Sequence, residues 1–172
     1  MRAIVIGCFI ALLVMLAVPA AASPREIRVE VTSIAAATRP ASERGEVAVE
    51  LDPRLGAFSK NLRSLFAYDS YTFLSKDSAD VEFSDASVFR LPEHFSIEVA
   101  PEQLGRDGSD MIEMLVTLFR EKPREERGQG RGAPEREVIL RTKIRLKNGG
   151  TVLLGGPPIR GGVLVLALTA RG

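Results

Sequence analysis

The chain has 172 residues, of which 23 are basic and 22 acidic, with one cysteine and one histidine. This near-neutral balance of charge argues against nucleic acid as the main partner. A single cysteine excludes an internal disulfide framework and a cysteine-based metal site, so the fold depends on its hydrophobic core. The sequence has no cofactor fingerprint and no metal-ligand spacing, and we expect neither a cofactor nor a metal ion.

The first 22 residues have the pattern of a secretory signal peptide. Arg2 precedes an uninterrupted apolar run from residue 3 to residue 18, and Ala20 and Ala22 are small residues of the kind that signal peptidase accepts. The apolar run is short for a membrane span. The pattern predicts export with cleavage after Ala22. An uncleaved segment that tethers the protein to a membrane is the alternative.

Residues 23–76 are predicted to form a β-α-β opening. Residues 27–31 alternate between apolar and polar side chains, which predicts a strand. Asp52 and Pro53 are the residue types preferred at a helix N-cap and first turn. Residues 70–75 predict a second strand. The apolar side chains of the intervening helix fall on one face: Leu55, Phe58, Leu62, Leu65 and Phe66.

Residues 77–172 are predicted to form a β-meander. Residues 121–137 are rich in Glu, Arg, Gly, Pro and Gln, and we expect a disordered charged loop there. The run at residues 111–120 is predicted as a strand, with a helix as the alternative. The other predicted strands are residues 81–83, 87–91, 95–99, 138–147, 151–154 and 162–169.

Together these elements predict a single exported domain from residue 23 to residue 172, of the α+β class. In this prediction one N-terminal amphipathic helix packs on a mainly antiparallel β-sheet or a small sandwich. The segments 151–154 and 162–169 are apolar on both faces, which predicts burial on both sides of the sheet.

Three glycine pairs recur near the end of the sequence. Gly149-Gly150 follows an asparagine and predicts a hairpin turn, and residues 155–162 predict a wider loop that returns the chain. A phosphate-binding loop would lead into a helix, usually through a Lys and a Ser or Thr. These glycines lead instead into prolines and another strand, so we interpret them as turn residues.

One predicted strand carries a row of cations on one side. Within residues 138–147 the cations alternate with Val, Leu, Thr and Ile, so they point to the opposite side of the strand. They are Arg141, Lys143, Arg145 and Lys147. Such a row repels itself unless acids lie opposite, and Glu113 and Glu121 could supply them. The row therefore predicts either a salt-bridged outer face or a surface that binds an anionic or acidic partner.

Acidic residues provide the catalytic alternative. A pair drawn from Asp77, Asp80, Glu82 and Glu98 could perform acid–base chemistry in an envelope hydrolase, provided that a cleft separates their pKa values. His94 lies in a predicted turn, and we interpret it as a surface residue.

Several stretches between Leu51 and Ala170 resemble small, uncharacterised exported proteins of Gram-negative bacteria. They are "LDPRL", "LRSLFAYDSYTFLS", "NGGTVLLGGP" and "GGVLVLALTA". The stretch "GGTVLLGG" is also similar to a glycine-bounded strand of secretin-type outer-membrane channels, and the β-α-β opening is similar to their periplasmic ring modules. These resemblances imply a location in the periplasm or cell envelope and contribute no catalytic residue.

The predicted function is that of a non-catalytic exported binding or assembly module of the cell envelope. We expect its partner to be an envelope protein or surface rather than nucleic acid, with membrane contact only through the signal segment.

Overall fold

A computed structural model describes residues 26–38, 49–104, 110–122 and 135–172. These ranges contain nine β-strands and one short helical segment. The strands are β1 (Glu26–Ala37), β2 (Glu50–Leu51), β3 (Ser70–Glu82), β4 (Ser87–Leu91), β5 (Phe95–Leu104), β6 (Met111–Glu121), β7 (Arg136–Lys147), β8 (Thr151–Ile159) and β9 (Gly162–Arg171).

The strands form two sheets. The five-stranded sheet has the order β2-β3-β1-β9-β8, and its strands are antiparallel except for the parallel pair β2 and β3. The four-stranded sheet has the order β4-β5-β6-β7 and is antiparallel throughout. β1 is the central strand of the larger sheet, and β7 lies at the edge of the smaller one.

The main core lies between the two sheets. β1 contributes Ile27, Val29 and Val31, and every second residue of β9 from Leu164 to Ala170 joins them. The four-stranded sheet contributes the inner side chains of all four of its strands, including Ile97 and Met114, which are fully buried. The alternation of each strand thus assigns one side chain in two to the sandwich core.

The helical segment connects β2 to β3 and packs against the other face of the five-stranded sheet. It consists of a 3-10 helix, Pro53–Phe58, followed directly by α1, Ser59–Leu65. Leu55 and Leu62 are its buried side chains. They form a second core with residues of β1, β3 and β9 that face the helix.

Side-chain hydrogen bonds anchor both ends of the helical segment. The carboxylate of Asp52 accepts a hydrogen bond from the backbone N–H of Arg54 at 3.0 Å, and Pro53 occupies the first helical position. At the other end the hydroxyl of buried Tyr71 lies 2.8 Å from the carbonyl oxygen of Phe66. A loop residue and a sheet residue therefore fix where the helix sits.

The helix-side face of the five-stranded sheet has two halves. The covered half lies under the helical segment and is apolar: Ile34 and Ala36 on β1, Tyr71 on β3, Val165 and Ala167 on β9. The bare half continues along the same strands beyond the helix and is polar: Arg28, Glu30 and Thr32 on β1, Lys76, Ser78 and Asp80 on β3, Thr151 on β8, Thr169 and Arg171 on β9.

The predicted α+β class is wrong, because the described chain is mostly β. The amphipathic pattern over residues 53–66 is real, but it becomes a six-residue 3-10 helix and a seven-residue α-helix. Leu65, predicted on the apolar face, is 64% exposed. The strands are also longer than predicted, since β3 continues through residues 76–80, most of which are polar and exposed.

The predicted domain boundaries remain a prediction. The signal segment 1–22 lies outside the described residues, and so do residues 123–134 of the charged loop. The ends of that loop belong to strands, because β6 extends through Glu121 and β7 starts at Arg136. The strand predicted at residues 111–120 is confirmed.

The glycine pairs occupy turns and close contacts. Gly149 has a positive φ of 75° in the turn that carries the chain from β7 in one sheet to β8 in the other, so this turn is not a hairpin. The predicted wide loop at 155–162 is also wrong, because β8 runs to Ile159 and a tight turn leads into β9. At Gly162 a Cβ atom would overlap the carbonyl oxygen of Ala36, which requires glycine there.

Candidate functional site

A cleft of about 400 Å³ lies where the helical segment meets the bare half of the five-stranded sheet. One wall comes from the helical segment, which contributes Phe58 and Asn61, and from Phe73 and Arg54, which stack on each other. The floor consists of sheet side chains: Glu30, Thr32, Lys76, Thr151, Thr169 and Arg171. The volume falls within the usual range for pockets that hold small molecules.

Strand alternation places the floor residues side by side. Because Val29 and Val31 point into the sandwich core, Glu30 and Thr32 of β1 point to the helix side. Across the sheet Thr32 pairs with Lys76 on β3, and Glu30 pairs with Thr169 on β9. The polar floor is therefore a patch of cross-strand neighbours.

Two ion pairs hold most of the charge in the cleft. The Lys76 ammonium lies 2.9 Å from the Glu30 carboxylate. Arg54 donates to Asp52 from Nε at 3.0 Å and from an Nη at 2.7 Å, and its guanidinium lies 4.2 Å from the centre of the Phe73 ring. The side-chain hydrogen bond from Arg54 holds the pKa of Asp52 well below its usual range, and the same bond raises the pKa of Arg54. The pair of Asp52 and Arg54 therefore stays ionised at neutral pH.

Arg171 differs from the other two cations of the cleft, because it forms no ion pair with any described residue. It lies directly opposite Arg28 on the neighbouring strand β1, and like charges in that arrangement repel each other. The guanidinium of Arg28 forms a long ion pair with Asp80, in which Nη1 lies 3.8 Å from Oδ1. A side cavity of about 50 Å³ opens between Arg28, Glu30, Thr169 and Arg171. This end of the cleft is therefore positively charged.

Hydroxyl groups line the floor between these charges. The hydroxyls of Thr151 and Thr169 lie 2.7 Å apart and share one hydrogen bond. Thr32 and Thr169 are buried residues whose side chains reach the cleft surface. A threonine hydroxyl both donates and accepts, so each can bond a ligand hydroxyl.

The predicted basic row lies on the outer face of the four-stranded sheet, along β7. Two of its cations face acids, since Lys143 pairs with Glu102 and Arg145 lies 3.4 Å from Glu113. The hydrogen bond with Glu102 raises the pKa of Lys143. Arg141 and Lys147 form no ion pair with a described residue. The row is thus half neutralised, by Glu113 as expected and by Glu102, while Glu121 pairs instead with Arg136.

The four candidate catalytic acids are not brought together. Asp77, Asp80 and Glu82 lie on β3 of the larger sheet, whereas Glu98 lies on β5 of the smaller one. None of the four lines the cleft. Among the described residues no group of three His, Cys, Asp or Glu side chains is arranged to hold a metal ion. No helix in the described ranges is long and apolar enough to cross a membrane.

Sequence reasoning missed the cleft altogether. A signal was present within single strands: β1 reads Arg28, Glu30, Thr32 and then Ile34, Ala36 on the same face. Such a change from polar to apolar along one face marks the point where a covering element ends. The register that aligns this change on β1, β3 and β9 could not be read from the sequence.

Comparison with known proteins yields one weak likeness. No protein-family model and no curated protein matches the chain. The chain is similar in structure to the T2SS secretin XcpQ from Pseudomonas aeruginosa, with a TM-score of 0.35 and 11% sequence identity. The match covers 85% of this chain and 56% of the secretin chain, so this chain spans little more than half of that length. A likeness at this TM-score carries no argument about function, and the resemblance to small exported proteins finds no support in these comparisons.

Proposed function

We propose that the protein is a non-catalytic assembly module of the bacterial cell envelope, which binds an acidic extended segment of a partner along β7. The observation that carries this proposal is the position of the basic row. β7 has twelve residues and pairs with β6 on one side, while none of the described strands pairs with its other side.

An open strand edge can accept one more strand. Its unpaired N–H and C=O groups bind the backbone of an extended peptide, and the side chains beside them give specificity. A strand added next to β7 would place its outward side chains about 5 Å from the cations of the row. Arg141 and Lys147 would then gain partners that the described chain does not provide.

The row also has a purely protective explanation. Lysine and arginine on an edge strand prevent unwanted pairing between copies of a protein. Under that explanation the cations repel other strands and no partner binds. The two explanations predict opposite responses to an acidic strand, so a peptide experiment separates them.

The experiment uses a peptide of alternating Glu and Val with blocked ends, titrated into the purified protein and followed by amide NMR shifts. We expect shifts in residues 136–147 that weaken as salt rises. The double change Arg141→Gln and Lys147→Gln should weaken binding about two- to fivefold, as expected for exposed ion pairs.

Two matched peptides serve as controls. A peptide with the same residues in blocks, Glu first and Val second, has the same charge without the alternation and should bind less tightly. A peptide of alternating Lys and Val should not bind. Equal shifts from the block peptide, or self-association of the double variant without peptide binding, would show that the row is an ionic or protective feature and not a docking strand.

Export to the envelope rests on the sequence of residues 1–22. We expect Ala20→Arg with Ala22→Arg to block processing and leave a heavier, membrane-associated form in fractionated cells. Wild-type protein that still begins at Met1 and stays with the membrane would favour the tethered alternative.

A further inference from the structure

The geometry points to a second binding site, in the cleft beside the helical segment, for a small hydroxyl-rich ligand that carries one carboxylate, such as an acidic sugar. This site lies on the larger sheet and does not involve β7, so it is independent of the proposed docking strand.

The charge of the cleft selects one anionic group. Lys76 is matched by Glu30, and Arg54 is matched by Asp52. Arg171 is left without a described partner and lies opposite Arg28, which repels it. A carboxylate between these two guanidiniums would relieve that repulsion, and arginine binds carboxylates through two parallel hydrogen bonds.

The rest of the cleft suits hydroxyl groups better than hydrocarbon. Thr32, Thr151 and Thr169 line the floor, and Asn61 faces them from the helical segment. These groups donate and accept hydrogen bonds without adding charge. The volume of about 400 Å³ accommodates a six-membered ring with its substituents.

The walls are fixed before any ligand arrives. Arg54 is held by two hydrogen bonds to Asp52 and by the ring of Phe73. Thr151 and Thr169 already hold each other at 2.7 Å. Side chains that are ordered in advance lose little conformational entropy on binding, which favours a specific site over a passive groove.

The test compares three probes by calorimetric or NMR titration of the purified protein at neutral pH: D-glucuronate, D-glucose and acetate. We expect glucuronate to bind with a dissociation constant of about 1 mM, more tightly than either of the others, because only glucuronate uses both the arginines and the hydroxyls. Arg171→Gln should weaken glucuronate binding about tenfold or more and leave glucose binding unchanged. Thr169→Val should weaken the binding of both glucuronate and glucose.

Arg90→Gln is the matched control, since it removes an exposed arginine from β4 of the other sheet, outside both proposed sites, and should change none of the three affinities. Thermal unfolding of each variant checks that it is folded; Arg171 is exposed, so its replacement should leave the fold intact. The inference is overturned if glucuronate does not saturate the protein, if acetate binds as tightly as glucuronate, or if Arg171→Gln and Arg90→Gln have equal effects.

Discussion

The covered half and the bare half of the helix-side face belong to the same three central strands, yet they have opposite chemistry. On β1 the change occurs between Thr32 and Ile34, and on β9 it occurs between Ala167 and Thr169. The helical segment is thirteen residues long and covers only the part of the sheet that is apolar. A short helix thus divides one face of the sheet into a buried core and an open cleft.

The two halves therefore contribute differently to the molecule. The covered half removes Leu55, Leu62 and Tyr71 from water and stabilises the fold. The bare half keeps its charged side chains at the open surface of the cleft, where single ion pairs contribute little to stability. Substitutions in the first half should mainly lower stability, and those in the second half should mainly change binding.

The largest effect should come from Leu62→Ala, which removes a fully buried side chain between the helix and the sheet. We expect a loss of about 2–5 kcal/mol in the free energy of unfolding, measured by urea denaturation. Leu65→Ala is the matched control on the same helix, because Leu65 is 64% exposed and should lose almost nothing. Equal losses for the two variants would contradict the described position of the helix.

A smaller effect should follow from Tyr71→Phe. The Tyr71 hydroxyl lies 3.1 Å from the carbonyl oxygen of Leu62 and 2.8 Å from that of Phe66, where it anchors the end of the helix to the sheet. The ring stays in place in the variant, so only the hydrogen bond is lost. We expect a loss of about 1–2 kcal/mol in the free energy of unfolding. Tyr68→Phe is the comparison, because Tyr68 is only partly buried at the edge of this core. Its free energy of unfolding should fall by less than that of Tyr71→Phe.

Acid should reduce the contribution that Asp52, at the start of the helical segment, makes to the free energy of unfolding. The folded-state pKa of Asp52 is lowered by Arg54, so the carboxylate stabilises the fold above the unfolded pKa of about 4 and loses this contribution as the pH falls toward the lower folded value. The stability difference between wild type and Asp52→Ala should be constant from pH 7 to about pH 5 and shrink below about pH 4. A difference that grows on acidification would contradict this assignment.

The smallest effect should come from the outer face of the other sheet. Lys143→Gln removes an exposed partner of Glu102, and the midpoint of urea unfolding should barely move. Raising the salt concentration in wild type should have a similarly small effect, because salt screens the same pair. A large drop in stability would indicate that β7 depends on the row for its place in the sheet.

Much of the strand pattern could be predicted because alternation is a local property. The strands 87–91, 111–120 and 138–147 were predicted close to their observed bounds, and the two-sided burial of β9 followed from its apolar run. The α+β class was wrong because an amphipathic pattern over residues 53–66 does not reveal how many turns the helix completes, nor how far polar strands extend beside it.

The two candidate sites also differ in whether local sequence patterns define them. The basic row needed only the alternation within β7, so its residues could be named from the sequence, although their binding role is still a prediction. The cleft needed the register of four strands and the end of a helix, which are fixed by contacts between distant residues. Arg28 and Arg171 lie near opposite ends of the described chain, and no local pattern places them side by side.

The pairing of β1 with β9 constrains the order in which the chain can fold. β1 is synthesised long before β9, yet the two strands are neighbours at the centre of the five-stranded sheet. Until β9 has been synthesised, the central strand has one open edge and the sandwich core lacks Leu164, Leu166 and Leu168. Long-range pairing of this kind makes folding slow. A growing chain therefore cannot close the sandwich core until β9 is available to pair with β1.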